Sequence, residues 1–253
     1  MTSTRNISIG FFGLLTLAMV LVFGANAWKS SLVVKEVRVT GNRVVDTNEI
    51  LQLSHVKRGE KMYDLDLMVI QKDVASHYFL KDVTVERDLP STLKISVVER
   101  SPLAMINNAD LLYIDPEGVV LPHSISRELF DLPVISNIPA AVKVAVGTTL
   151  HNADVLEALD ILSTAKLVNK ELYYLISEVR LRNGGDLVLY TAEGGVPVLF
   201  GRGNSASKLV RLEAFWNTIV RERGTASLQY IDLRFNDQIV VRWNDNNKKS
   251  RSL

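Results

Sequence analysis

The sequence lacks cysteine and has almost no excess of either charge. Without cysteine, the 253-residue chain cannot form a disulfide framework, a thiolate zinc site, a cysteine nucleophile or a lipoprotein anchor. Lys and Arg number 29 against 28 Asp and Glu, a formal charge of +1, whereas a nucleic-acid-binding chain is typically basic. Because hydrophobic residues make up 47% of the chain, most of it can bury a core.

The sequence also lacks a recognisable catalytic motif. The four histidines show no HExxH spacing, and no Gly-x-Ser-x-Gly elbow is present. These histidines are His55, His77, His123 and His151. Residues 200–208 follow a predicted strand and open a predicted helix, but they lack the Gly-Lys-Ser/Thr and GxGxxG patterns of phosphate loops. A plain strand-to-helix turn is the better interpretation.

Two pairs of acids resemble catalytic carboxylates. They are Asp115 with Glu117, and Asp64 with Asp66. Both pairs fall at predicted turns or helix starts, where carboxylates usually cap backbone N–H groups. The sequence therefore predicts no enzymatic activity, no cofactor and no metal site.

One long apolar run stands near the amino terminus. Residues 6–28 contain no charge, and about 20 apolar residues suffice to cross the hydrocarbon core of a membrane as a helix. Trp28 lies where an interfacial aromatic residue belongs. We expect a transmembrane helix over 7–27, preceded by a short tail over 1–6.

A cleaved signal peptide is the competing interpretation of this run. Ala25-Asn26-Ala27 resembles a cleavage site, although the apolar core of a signal peptide usually spans only about 7–15 residues. The flanking charges leave the topology open. More basic residues follow the run than precede it, but the positive-inside rule weakens for long translocated domains.

The residues after the apolar run predict a small module of the order strand, helix, helix, strand, strand. A strand is expected over 33–39, with Val33, Val37 and Val39 on one face and Val34, Glu36 and Arg38 on the other, followed by a turn at Gly41 and Asn42. Asp46 and Glu49 have the spacing of a capping box at the start of the first helix. A second helix is expected after Asp64, with Leu67, Ile70, Val74 and Tyr78 at helical spacing. A hairpin over 83–97 completes the module.

A second region begins after Ser101-Pro102 and predicts short strands with two helices. The helices are expected to begin after Asn152 and Ser205, and the second should bury Leu209, Leu212, Trp216, Ile219 and Val220. A tight hairpin is expected from strands 229–235 and 238–243 across Asn236-Asp237. The whole chain is an α+β fold, with domains over 32–101 and 102–243 and a disordered tail over 244–253.

Several motifs, in order along the chain, resemble the bacterial FtsQ/DivIB family of cell division proteins. The first group, typical of its POTRA domain, is Val39-x-Gly41-Asn42, Arg87-x-x-Pro90-x-x-Leu93-x-Ile95 and Glu99-Arg100-x-Pro102-x-Ala104. The second group is Asp115-Pro116-Glu117-Gly118-Val119, Leu132-Pro133, Leu199-x-Gly201-Arg202, and Ile231-Asp232-Leu233-Arg234 through Trp243. Together with the apolar run, these motifs cover nearly the whole chain.

The resemblance implies a bitopic inner-membrane protein at the division septum, with a short cytoplasmic tail over 1–6. Its POTRA domain and mixed, mainly antiparallel β-domain would lie outside the cytoplasm. It implies a non-enzymatic scaffold of the divisome with FtsB-like and FtsL-like proteins as partners, and no nucleic acid or small-molecule substrate. In the resembled family, FtsB adds along the final strand region. That role is carried to Phe235, Asp237, Gln238, Ile239, Val240, Val241 and Trp243.

The backbone chemistry of a sheet edge also supports a protein-binding role, since unpaired N–H and C=O groups at such an edge accept another strand. The alternative for Val240 and Trp243 is that they pack the core of a terminal hairpin.

Two other functions stay open at this point. A POTRA-containing envelope transport or assembly factor would be expected to carry several such modules or a barrel. A periplasmic enzyme would be released by cleavage after Ala27.

Overall fold

The computed structural model describes residues 3–108, 110–123, 131–182 and 185–244. It divides into two units, Met1–Glu99 and Arg100–Leu253. The predicted disordered tail lies outside the described residues from position 245 onward.

The apolar run forms one long helix, α1 (Ser3–Ser31). Its portion Gly13–Ser31 is long and apolar enough to cross a membrane, with a mean hydropathy of 1.3. The side chains from Gly13 to Ser31 are exposed, so this helix does not pack into a core formed by the described residues. A helix of this kind needs a membrane or a partner to cover it.

The rest of the first unit has the expected order of strand, helix, helix, strand, strand. Its elements are β1 (Glu36–Thr40), α2 (Thr47–Ser54), α3 (Leu67–Ala75), β2 (Leu80–Asp88) and β3 (Thr92–Glu99). The sheet order is β1-β3-β2, with β1 parallel and β2 antiparallel to β3. The two helices bury Ile50, Ile70 and Val74 in the core beside this sheet.

Local capping starts both helices of this unit. Asp46 accepts a hydrogen bond from the Asn48 N–H at the start of α2, as predicted. The second helix begins later than expected, because Asp66 rather than Asp64 is its cap. Tyr78 lies beyond the end of α3 and is 46% exposed, so its predicted place in the core was wrong.

The first strand also begins later than expected. The Val34 N–H donates to Glu60 O at 2.9 Å, and the Gly59 N–H donates to Val34 O at 2.8 Å. These bonds hold residue 34 against the 59–60 segment before β1 starts. Val34 is therefore buried, whereas the alternation placed it on the outer face.

The second unit contains a nine-stranded mixed sheet with helices packed against it. Its strands are β4 (Ala104–Asn108), β5 (Asp110–Ile114), β6 (Val120–Pro122), β7 (Val134–Ser136), β8 (Ile176–Arg180), β9 (Leu187–Thr191), β10 (Pro197–Gly201), β11 (Leu228–Asp232) and β12 (Val240–Trp243). The strand order is β12-β11-β10-β9-β8-β7-β4-β5-β6. The short strand β7 was not predicted, because three residues carry too little alternation to detect.

The helices of the second unit are α4 (Ala153–Val168), α5 (Lys170–Leu175), α6 (Ser205–Phe215) and α7 (Arg221–Arg223), with a π-helical turn over Trp216–Val220. Asn152 caps α4 as predicted, but α5 was missed. Ser205 does not cap α6; its hydroxyl donates to Asp160 at 2.8 Å. Ile219 is 45% exposed rather than inward, because the π-helical turn rotates the register of the helix.

The terminal hairpin is looser than the sequence indicates. The strands β11 and β12 are joined by residues 233–239, not by the two-residue turn at Asn236-Asp237. The Leu233 N–H donates to Leu199 O at 2.9 Å, which carries the chain along β10 before it turns back. Gln238 and Ile239 consequently precede the last strand instead of starting it.

Candidate docking edge of the large sheet

The two edges of the nine-stranded sheet differ in how they are covered. At the β6 edge, the Val120 N–H donates to Thr148 O at 2.9 Å and the Gly147 N–H donates to Val120 O at 2.8 Å. The segment 147–149 therefore occupies that edge. At the opposite edge, no strand among the described residues pairs with the outer side of β12. Such an open edge is available to accept another strand.

The register of β12 fixes which of its N–H groups point outward. The Asn244 N–H donates to Ser227 O at 2.7 Å, so it faces β11. Because backbone groups alternate in direction along an antiparallel strand, the N–H groups of Arg242 and Val240 also face β11. Those of Val241 and Trp243 point away from the sheet.

The side chains of β12 alternate as well. Val241 and Trp243 are partly buried against the core, together with Ile239 just before the strand. The Arg223 guanidinium lies 3.9 Å from the centroid of the Trp243 ring. Val240 belongs to the opposite face by alternation. Packing against the core therefore accounts for the position of Trp243 but not for that of Val240.

The connection before β12 is largely exposed. Phe235, Asp237 and Gln238 all lie in it with exposed side chains, and Phe235 is 46% exposed. The Phe235 carbonyl oxygen accepts a hydrogen bond from Arg211 Nη1 at 3.0 Å. The backbone at Phe235 is thus held while its ring remains accessible. The seven predicted partner-binding residues therefore lie in the exposed connection and in β12, but the side chains of Ile239, Val241 and Trp243 face the core.

An ion pair holds the base of this connection. Arg234 Nη2 lies 2.6 Å from Asp232 Oδ2, and its Nη1 lies 3.0 Å from Asp186 Oδ2. The Asp232 side chain is almost fully buried, whereas Arg234 is half-exposed. Hydrogen bonds from Arg234 hold the pKa of Asp232 below its usual value despite this burial. The sequence motif contained both residues without indicating this role.

The predicted turn at Gly41 and Asn42 has a structural role. Gly41 has φ +91°, and a Cβ there would lie 2.0 Å from Val97 O. The Asn42 side-chain amide donates to Val45 O at 3.0 Å. The Glu99 carboxylate accepts hydrogen bonds from the three successive N–H groups after this turn, at 2.8–3.0 Å; they belong to Arg43, Val44 and Val45. Sequence reasoning missed Glu99, which lies 54–56 residues away along the chain.

The loop that resembles a phosphate loop is occupied by internal contacts. Lys208 Nζ donates to Phe200 O at 2.9 Å and to Arg202 O at 2.8 Å, and burial lowers the pKa of this lysine. Arg202 in turn pairs with Asp154 and Glu157. The ion pairs of Arg202 hold the loop against α4, and the Lys208 ammonium group is used in hydrogen bonds within the fold.

Two further candidate residues, Asp115 and His77, also make contacts within the fold. Asp115 accepts hydrogen bonds from the N–H groups of Glu117 and Val119 at 2.9 Å, which is capping as predicted. His77 is buried, and its Nδ1 accepts from the Phe79 N–H at 3.2 Å. Across the described ranges, no group of three or more His, Asp or Glu side chains is arranged to hold a metal ion.

Comparisons with known proteins match both units. Residues 32–100 match the family model "POTRA domain, FtsQ-type" and residues 104–234 match "Cell division protein FtsQ/DivIB, C-terminal". The chain is 31% identical over 208 residues to a protein of Geobacter sp. (strain M21), covering 81% of this chain and 74% of that one. It is 31% identical over 225 residues to one of Rhodothermus marinus, covering 85% and 79%. A third, from Geotalea daltonii, is 29% identical over 208 residues, covering 82% and 74%. All three relatives are named "Cell division protein FtsQ".

Proposed function

Since the chain belongs to the FtsQ/DivIB family of non-enzymatic bacterial cell division proteins, we propose that it is a bitopic inner-membrane scaffold of the divisome. It links other division proteins through its extracytoplasmic domains. In this proposal residues 32–101 form the POTRA domain and residues 102–243 form the β-domain.

The helix α1 supports a single-pass anchor at the cytoplasmic membrane. Its apolar portion Gly13–Ser31 is uncharged except for Lys29 near its end and is exposed along its length. We place the first residues of the chain in the cytoplasm and both folded domains in the periplasm, at the division septum. The charges on the two sides of the span do not determine this orientation, so the proposed orientation rests on the family resemblance.

The proposed partners are FtsB-like and FtsL-like proteins, and the proposed contact is addition of a partner strand to β12. The observation that carries this proposal is the outer edge of β12, with which no described strand pairs and where the N–H groups of Val241 and Trp243 point away from the sheet. The β6 edge of the same sheet is covered, whereas the β12 edge has no described strand beside it. Because proteins usually protect their sheet edges, an unprotected edge supports a binding role for β12.

The exposed connection supplies side-chain contacts beside this edge. In strand addition, main-chain hydrogen bonds give most of the affinity and side chains set the register. The Phe235 ring, exposed on a backbone held by Arg211, is suited to act as an aromatic anchor for the incoming chain.

Amide hydrogen exchange at residue resolution tests the proposal. The full-length chain in detergent is compared with and without a saturating peptide covering the periplasmic segment of the FtsB-like protein from the same organism. We expect exchange at Val241 and Trp243 to slow when the peptide binds, because their N–H groups gain acceptors. Val240 and Arg242 serve as internal controls, since their N–H groups are already bonded to β11. Unchanged exchange at Val241 and Trp243 with the peptide bound elsewhere would contradict docking at this edge.

A further inference from the structure

The helix α1 joins the small folded unit without a flexible linker. The Met62 N–H donates to Leu32 O at 2.8 Å, one residue after α1 ends at Ser31. Val33 then forms a β-bridge with Lys61. The unit is therefore held against the end of the helix by backbone hydrogen bonds from the first residues that follow it.

The length of α1 places this junction at the membrane surface. The 21 residues of the expected span, 7–27, rise about 32 Å at 1.5 Å per residue, close to the roughly 30 Å of the hydrocarbon core. The end of the helix, with Trp28 and Lys29, consequently lies in the headgroup region. Lys29 Nζ lies 5.5 Å from the centroid of the Tyr63 ring, so Tyr63 lies there too.

The strand directions place further residues at the same end of the unit. The Lys35 N–H donates to Ser91 O at 2.8 Å, which brings the turn between β2 and β3, with Leu89, beside the start of β1. Arg87, the penultimate residue of β2, donates to Met62 O at 2.9 Å and to Leu65 O at 2.7 Å. The segment that begins α3 is thereby fixed at this end.

Three apolar or aromatic side chains at this end of the unit are exposed. They are Met68 (81% exposed), Leu89 (43%) and Tyr63 (38%), and we call them the membrane pole. Lys57, Arg58 and Lys61 are exposed on the adjoining segment, and Asp64 and Asp66 are exposed in the same stretch of chain. Apolar and aromatic side chains flanked by lysine and arginine are typical of surfaces that lie in a membrane interface, where the cations reach lipid phosphates.

We propose that the membrane pole rests in the headgroup layer of the bilayer that α1 crosses. This contact fixes the height and tilt of the small unit above the membrane, in addition to the single covalent connection through α1. The inference rests on the proposed function, because it requires α1 to be an uncleaved span. The occupant follows from continuity, since the bilayer surface begins near Trp28 and Lys29, and Lys29 contacts Tyr63 of the membrane pole.

Site-specific spin labelling tests the contact, and the absence of native cysteine makes it straightforward. Four single-cysteine variants of the full chain are labelled with a nitroxide in nanodiscs of phosphatidylethanolamine and phosphatidylglycerol: Met68→Cys, Leu89→Cys, Val98→Cys and Leu17→Cys. Label depth is measured from accessibility to oxygen and to a water-soluble nickel reagent. Val98 is the matched control, because it is apolar and 53% exposed but lies at the opposite end of β3. Circular dichroism checks that each labelled chain is folded.

The labels at Met68 and Leu89 should report a depth of about 5–10 Å at the headgroup and acyl boundary, as for an interfacial surface. The Val98 label should be aqueous and the Leu17 label should be buried in the hydrocarbon core. Aqueous labels at Met68 and Leu89 together with a buried label at Leu17 would overturn the contact while leaving the anchor intact. An aqueous label at Leu17 would instead overturn the anchor itself.

Discussion

Two positions with the same φ angle show that glycine can be needed for two reasons, its backbone conformation and the space that a Cβ would occupy. Gly41 and Gly59 both have φ +91°, a conformation that costs a residue with a Cβ about 1–3 kcal/mol. A Cβ at Gly41 would also meet Val97 O at 2.0 Å, whereas a Cβ at Gly59 would have no described residue other than its chain neighbours within 4 Å. The sequence motif marked Gly41, but only the packed structure distinguishes the two positions.

We therefore expect Gly41→Ala to destabilise the protein considerably more than Gly59→Ala does. Gly59→Ala should lower the free energy of unfolding by about 1–3 kcal/mol through backbone strain alone. Gly41→Ala should exceed that range, because the backbone of β3 must move to admit the methyl group. Chemical denaturation of both variants measures the difference. Equal losses would mean that the approach of Val97 to Gly41 is not tight in solution.

Residue-scale prediction succeeds where the determinant is local. Asp46 and Asn152 were identified as helix caps because a cap is defined by the next two or three residues. Glu99 was missed because its partners, the N–H groups of Arg43 to Val45, are brought to it by the parallel pairing of β1 with β3. Single-sequence patterns contain no signal for such distant bonds.

At the scale of elements, the hairpin of β11 and β12 depends on the pairing of Arg234 with Asp232. The Asp232 side chain is almost fully buried, so loss of Arg234 leaves a buried carboxylate without its main charged donor. Arg221 offers a matched control, because both side chains of its pair with Glu171 are exposed. Exposed pairs contribute less than about 1 kcal/mol.

We expect Arg234→Gln to cost about 1.5–3 kcal/mol at pH 7, and Arg221→Gln to cost less than about 1 kcal/mol. The pKa of Asp232 is lowered by Arg234. Its contribution is therefore present above the unfolded pKa of about 3.9 and is lost as the pH falls through the lower folded value. Thermal unfolding of wild type and Arg234→Gln from pH 7 to pH 2.5 should show the gap narrowing below about pH 4. A gap independent of pH would show that the charge of Asp232 is not what Arg234 stabilises.

Element prediction depended on length and on regular spacing. The long apolar helix, the caps and the strand alternation of β2 and β3 were visible in the sequence. The three-residue strand β7 and the six-residue helix α5 were not, since neither is long enough to show a period. The tight hairpin was wrong because Asn236-Asp237 has turn chemistry, yet the chain first follows β10 through Leu233.

At the scale of the whole molecule, the candidate site depends on the position and register of β12 in the sheet and not on a local sequence motif. The sequence placed a terminal hairpin in the β-domain, and the family resemblance pointed to its last strand. The order of nine strands, and the covering of the opposite edge by residues 147–149, come only from long-range pairing. The direction of each N–H group on β12 likewise depends on its register with β11.

The central claim is that the outward N–H groups of β12 bind a partner strand, and replacing one of them tests it most directly. Val241→Pro removes an outward donor and the partly buried valine side chain, whereas Val241→Ala removes only side-chain contacts. Isothermal titration of each full-length variant with the FtsB-like periplasmic peptide compares the two. Circular dichroism of each variant confirms that the hairpin is retained.

We expect Val241→Ala to bind within a few-fold of wild type and Val241→Pro to bind at least about tenfold more weakly, since about 1.4 kcal/mol corresponds to a factor of ten in affinity. The added strand loses both a hydrogen bond and room beside the proline ring. If folded Val241→Pro binds the peptide as tightly as Val241→Ala does, the edge of β12 is not the docking site.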